Sequence, residues 1–254
     1  MISHTLPGRW TRSTIALLII GVLCALAGHV SAAEIGRHTM LDKEQSKPWR
    51  GVGRINIAGL DRRGMCTGTL IAPDVVLTAA HCVVNLKTGR QYRTKDINFV
   101  AGWFKGSYSG HSKAKAVLVH PGWSSTKPKG IEDLGHDLAV IKLATPILAK
   151  DASIFRLGSA GALGDDVLLL SYRRDRPHAL TRQRNCRYVS KQETIVTLAC
   201  RIVGGTSGAP VFEVTVDGPR IVAVISAKAN VGMHRAFAAR VDGVVNQLVS
   251  RLPK

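Results

Sequence analysis

Val76-Leu77-Thr78-Ala79-Ala80-His81-Cys82 runs an apolar stretch through two alanines into a histidine and a cysteine. Gly204-Gly205-Thr206-Ser207-Gly208-Ala209-Pro210 sets a serine among glycines, and between the two Gly135-His136-Asp137-Leu138-Ala139-Val140 carries an aspartate into another apolar run. Each stretch alone is ordinary: single histidines are mostly structural, and Gly-x-Ser-Gly strings arise in many turns. Together they hold what acyl transfer by a hydroxyl needs. His81 can take the proton of Ser207, and Asp137 can hold the imidazole in the right tautomer. Gly205 and Gly208 let the backbone turn sharply, so the N–H groups of Gly205 and Ser207 can converge on one oxygen.

The surrounding chain reads as short apolar runs separated by turn residues, among them 51–59, 68–73, 96–103, 114–120, 136–143, 166–172, 194–200, 209–216 and 220–229. Their Val, Ile and Leu content predicts β-strands, and Asp217-Gly218 is a hairpin signal between the last two. No alternation of strands with helices appears. One helix is predicted over Val241–Leu252, where Val241, Val244, Val245, Leu248 and Leu252 recur at helical spacing. An all-β body with a closing C-terminal helix suggests a barrel or sandwich.

At 254 residues the chain can bury a substantial core, and its 45% hydrophobic and 20% charged residues exclude disorder and a multi-span membrane protein. Its formal charge of +18 is unusual. Residues 1–32 read as a secretory signal peptide: Arg9 and Arg12 precede the apolar run Ile15–Ala27, and Val30-Ser31-Ala32-Ala33 offers a small-residue cleavage site. The expected destination is the periplasm or the exterior. Cleavage removes Cys24 and leaves Cys66, Cys82, Cys186 and Cys200, an even set that implies two disulfides in an exported chain. It also removes two of the 35 Lys+Arg, so the basic character belongs to the folded part. Residues 33–50 are polar and weakly patterned and read as a loose arm or pro-segment, ahead of a domain over 51–254.

Cys66-Thr67-Gly68-Thr69-Leu70-Ile71, the stretch ending in His81-Cys82, Asp137-Leu138-Ala139-Val140-Ile141-Lys142-Leu143 and Gly205-Thr206-Ser207-Gly208-Ala209-Pro210-Val211 resemble trypsin-like serine proteases of the chymotrypsin fold. The flavour is that of the bacterial members, which include glutamyl endopeptidases. The chain order His, Asp, Ser is the chymotrypsin order. The resemblance implies two six-stranded antiparallel β-barrels with a site in the cleft between them. It makes His81 the general base, Asp137 its orienting acid, Ser207 the nucleophile, and Gly205 with Ser207 the oxyanion hole. Four cysteines allow three pairings, of which the resemblance selects Cys66–Cys82 and Cys186–Cys200, each worth roughly 3 kcal/mol by chain entropy.

Two departures from trypsin stand out. Thr206 occupies the place of the aspartate that receives a newly cut N-terminus, and Gly51-Val52-Gly53 lacks the usual opening of the activated chain. Six residues before Ser207, where trypsin's pocket is acidic, stands Arg201. Ile225-Ser226-Ala227-Lys228 resembles the segment that pairs with the substrate backbone, so Arg201, Ser226 and Lys228 are candidate substrate-binding residues. Cations there would favour an acidic residue before the scissile bond and disfavour Lys or Arg. The expected partner is a polypeptide substrate, with an anionic surface or polymer as a second partner for Arg173, Arg174, Arg176, Arg182, Arg184 and Arg187. With few aromatic residues for stacking, specific nucleic-acid recognition is not expected. A monomer without metal or cofactor is expected, since His38, His111, His120, His136, His178 and His234 show no ligand spacing. The competing reading is a cationic binding or antimicrobial protein of the same fold with decayed catalysis.

Overall fold

Strand β1 (His38–Met40) and a short helix Lys43–Ser46 lead into six strands: β2 (Val52–Gly59), β3 (Arg62–Ala72), β4 (Val75–Thr78), β5 (Ile97–Ala101), β6 (Gly110–Val119) and β7 (Ala139–Leu143). In this computed structural model they close an antiparallel barrel in the order β2-β3-β4-β7-β6-β5. Alternation of the strands turns Ile55, Ile57, Leu70, Val76, Ile97, Phe99 and Ile141 into its centre. The structure describes Met1 and residues 37–59, 62–125, 130–229 and 234–253. The leader read at residues 1–32 lies outside them, apart from Met1.

After β8 (Arg156–Leu157), the chain forms β9 (Asp166–Arg173), β10 (Arg176–Lys191), β11 (Ile195–Ala199), β12 (Pro210–Thr215), β13 (Gly218–Lys228) and β14 (Arg235–Arg240). Pairings β9-β10-β11-β14-β13-β12 return to β9 and close a second six-stranded barrel, with β1 added to β10 and β8 to β13. Val167, Leu169, Val196, Leu198, Val211 and Ile225 fill it. A third cluster joins the two barrels through Val52, Leu77, Leu138, Tyr172 and Phe212. The expected architecture is therefore the observed one. The expected hairpin turn lies between β12 and β13, with Gly218 at φ 101°.

Two local readings change, and the Arg-rich segment finds its place in the fold. The helix is Val244–Ser250, shorter than predicted, because Gly243 sits at φ 70° and interrupts the helical run after the buried Val241. The Arg-rich segment is a hairpin: Arg173 ends β9, Arg174 stands in the turn, and Arg176, Arg182, Arg184 and Arg187 lie on the long strand β10. Thr181, Gln183, Cys186 and Tyr188 face inward, and Asn185 at φ 59° marks a bulge that keeps Arg184 and Arg187 outside.

The arm is not loose over its described part. Leu41 is fully buried and its N–H donates to Leu180 O at 2.9 Å. Asp42 and Gln45 form a capping box, and Trp49 stacks on Phe155 with ring centroids 5.9 Å apart. Leu41 and Trp49 both pack against the cluster between the barrels and dock this stretch there. Leu41→Ala is expected to cost about 2–5 kcal/mol by opening a cavity there. In thermal unfolding that is a fall in Tm of roughly 5–15 °C, whereas a dispensable arm would leave Tm unchanged.

Candidate active site

The cysteines set the geometry. Cys66 on β3 and Cys82, next to His81, are bonded with Cα atoms 6.0 Å apart, and Cys186–Cys200 staples β10 to the end of β11 with Cα atoms 5.0 Å apart. Both pairings are the expected ones. Cys66, Cys82 and His81 bring three potential metal-ligating atoms within 4.8 Å of one another, but both sulfurs are committed to the disulfide and offer no thiolate.

Ala80–Cys82 form one 3₁₀ turn after β4, in which the small residues Ala79 and Ala80 are buried while the His81 side chain stays partly exposed. Asp137 ends another 3₁₀ turn, Glu132–His136, just before β7. Its carboxylate is almost fully buried and takes three donors. His81 N–H donates to Oδ1 at 2.9 Å, His81 Nδ1 lies 2.6 Å from Oδ2, and Ser226 Oγ donates to Oδ2 at 2.6 Å. Burial alone would push the imidazole toward its neutral form, but the charge and hydrogen bond of Asp137 outweigh it, and His81 titrates above its ordinary value. Burial likewise opposes the Asp137 carboxylate, yet His81 and Ser226 hold it below the usual carboxylate range.

Ser207 follows a tight turn. Gly205 adopts φ 91°, where a Cβ would lie 2.8 Å from Arg174 N and from Tyr172 O, so a glycine is required on both counts. Gly208 adopts φ 75°, and a Cβ there would collide with Thr78 Oγ1 and Thr67 O. The turn is laced to β3: Thr67 N–H donates to Ser207 O at 2.9 Å, and Thr67 Oγ1 donates to Gly205 O at 3.1 Å. Ser207 is thus tied to the residue after Cys66, whose disulfide partner adjoins His81. Among the described residues, the N–H groups of Gly205 and Ser207 donate to nothing, while Thr206 N and Gly208 N are bonded to Val203 O and Ile225 O. Two uncommitted donors flanking one turn form a site for an anionic oxygen.

The remaining candidates fall in different places. Ser226 is buried with its hydroxyl on Asp137, leaving only its backbone for a ligand. Arg201 and Lys228 are exposed, the latter paired through the backbone with Ala236. Thr206 is buried and its Oγ1 has no partner among the described residues; an uncharged hydroxyl there cannot form the ion pair with an amine that an aspartate would.

The family described as Trypsin matches residues 40–246. The chain belongs to the trypsin family. Among curated relatives, glutamyl endopeptidase of Bacillus licheniformis is 25% identical over 178 residues, covering 69% of this chain and 52% of that protein. Trypsin of Saccharopolyspora erythraea is 31% identical over 107 residues, covering 41% and 42%. The chain spans about half the length of the curated relatives it matches. Among solved structures, the protease Anisep from Arthrobacter nicotinovorans is similar with a TM-score of 0.66 and 18% identity, covering 84% of this chain and 97% of that one. A Glu endopeptidase in complex with MPD gives a TM-score of 0.67 and 19% identity, covering 85% and 97%. These neighbours share the two-barrel fold, and the family frame spans every stretch that carries His81, Asp137 and Ser207.

Proposed function

We propose that the protein is an exported serine endopeptidase that hydrolyses peptide bonds through His81, Asp137 and Ser207. The observation that carries this reading is the Asp137 carboxylate fixed on His81 Nδ1 at 2.6 Å, together with two uncommitted N–H donors on the turn that holds Ser207. In the proposed reaction, Ser207 Oγ bonds to the substrate carbonyl carbon as its proton passes to His81 Nε2. The oxyanion accepts from Gly205 N–H and Ser207 N–H. Collapse breaks the C–N bond, His81 returns the proton to the leaving amine, and water then repeats the cycle on the acyl-enzyme. Asp137 holds the proton of His81 on Nδ1, which leaves Nε2 free as the base. Two disulfides suit an oxidising compartment, and this supports export.

Peptide-library digestion by the full chain tests the activity, with no dominance of Lys or Arg before the scissile bond expected, given Arg201 at the position where trypsin is acidic. Cleavage restricted to Lys and Arg would contradict the expected pocket. The pH profile tests the base. His81 acts only when neutral and its affinity for the proton is raised, so kcat/KM should climb with pH through a midpoint above about 6.5. A profile flat from about pH 5 to 8 would contradict the role.

A further inference from the structure

We propose that Arg174 is a specificity residue that favours a carboxylate on the first or second residue after the scissile bond, an assignment that rests on the peptidase function above. β9 ends at Arg173 and β10 begins at Arg176, so Arg174 and Asp175 form the turn of a tight hairpin. This turn leans on the segment leading to Ser207: Arg174 N–H donates to Gly204 O at 2.7 Å. The side chain covers the same residue. A Cβ built on Gly204 would lie 3.6 Å from Arg174 Cζ and 3.7 Å from Nε, which sets the guanidinium against the residue immediately before the Gly205 donor.

The charge there is not neutralised. Asp175, the one carboxylate of the hairpin turn, is committed to Arg173 through a bidentate pair at 3.0 and 2.6 Å. Among the described residues no acid pairs with the exposed Arg174 or with Arg201. A planar fork of donors facing solvent, with no acid paired to it, suits a carboxylate.

The side of the bond follows from the topology. β13, whose Ile225–Lys228 stretch resembles the segment that pairs with the substrate backbone, meets one end of the turn through Gly208 N and Ile225 O. Arg174 meets the other end of the turn, through Gly204 O, next to Gly205, whose carbonyl accepts from Thr67 Oγ1 at 3.1 Å while Tyr172 N–H donates to that hydroxyl at 3.0 Å. That side receives the leaving half.

The test uses fluorogenic peptides identical except for Glu, Gln or Lys at either of those two positions, with kcat/KM compared as ratios. For the wild type the Glu/Gln ratio should be about 1.5 to 5 at low salt, the strength of an exposed ion pair. It should shrink toward one at about 0.5 M salt. Arg174→Gln should erase the ratio, Arg174→Lys should keep most of it, and Arg174→Glu should turn the preference toward Lys. A merely structural role would lower all substrates alike and leave the ratios unmoved. A wild-type ratio of one, or a ratio surviving in Arg174→Gln, would overturn the assignment. A wild type that cleaves no member of the set would overturn the peptidase reading itself, and this assignment with it.

Discussion

Ser207→Ala is expected to lower peptide hydrolysis by on the order of 10⁶-fold, the scale of removing a nucleophile whose base and donors act only through it. The fold should survive the change. The hydrogen bond that ties the turn to β3 uses Ser207 O, a backbone atom that alanine keeps, and Oγ makes no hydrogen bond among the described residues. Gly205 and Gly208 continue to provide the turn, and the Cys66–Cys82 link still anchors the neighbourhood of His81. Circular dichroism and Tm should therefore match the wild type while turnover disappears. If Ser207→Ala kept turnover within tenfold of wild type, another group would be the nucleophile.

Asp137→Asn should cost about 10⁴-fold in kcat, and the hydrogen bonds explain how. Oδ1 faces the His81 backbone N–H, a donor that cannot become an acceptor, so the amide must keep its oxygen there. Its NH₂ then replaces Oδ2, where it meets His81 Nδ1 and the Ser226 hydroxyl. The hydroxyl can rotate to accept. Nδ1 can accept only by moving its proton to Nε2, the nitrogen that must be bare to take the proton of Ser207. The variant should thus hold its geometry and carry the wrong tautomer. Nitrogen chemical shifts of the His81 ring should report protonation at Nε2 near neutral pH, and a ring still protonated at Nδ1 would contradict this account.

The parts of the site legible in the sequence are those where reactive residues and small residues are contiguous. His81 with Ala79 and Ala80, and Ser207 with its glycines, announce themselves because the turn chemistry is local. Ser226 does not. It lies 89 residues from Asp137, and nothing within a strand distinguishes a serine that meets a buried carboxylate from one that meets substrate. The barrels were legible wherever inward faces are Val, Ile or Leu. β10 escaped because Thr181, Gln183, Cys186 and Tyr188 supply its inner face while arginines supply its outer one. β1 escaped because a three-residue strand carries too few positions for a period, and its stability comes from pairing with β10 and from Leu41 beyond its end. Long-range partners decide these elements, and a single sequence does not display them.

The most direct measurement is labelling of the folded, full-length protein with a fluorophosphonate, followed by mass spectrometry of the modified peptide. Attack by an activated hydroxyl predicts one adduct, on Ser207, that appears in the wild type and is absent from Ser207→Ala. A folded wild-type protein that takes no label, or one that carries it on a different serine, would contradict the assignment of Ser207 as a nucleophile served by His81 and Asp137.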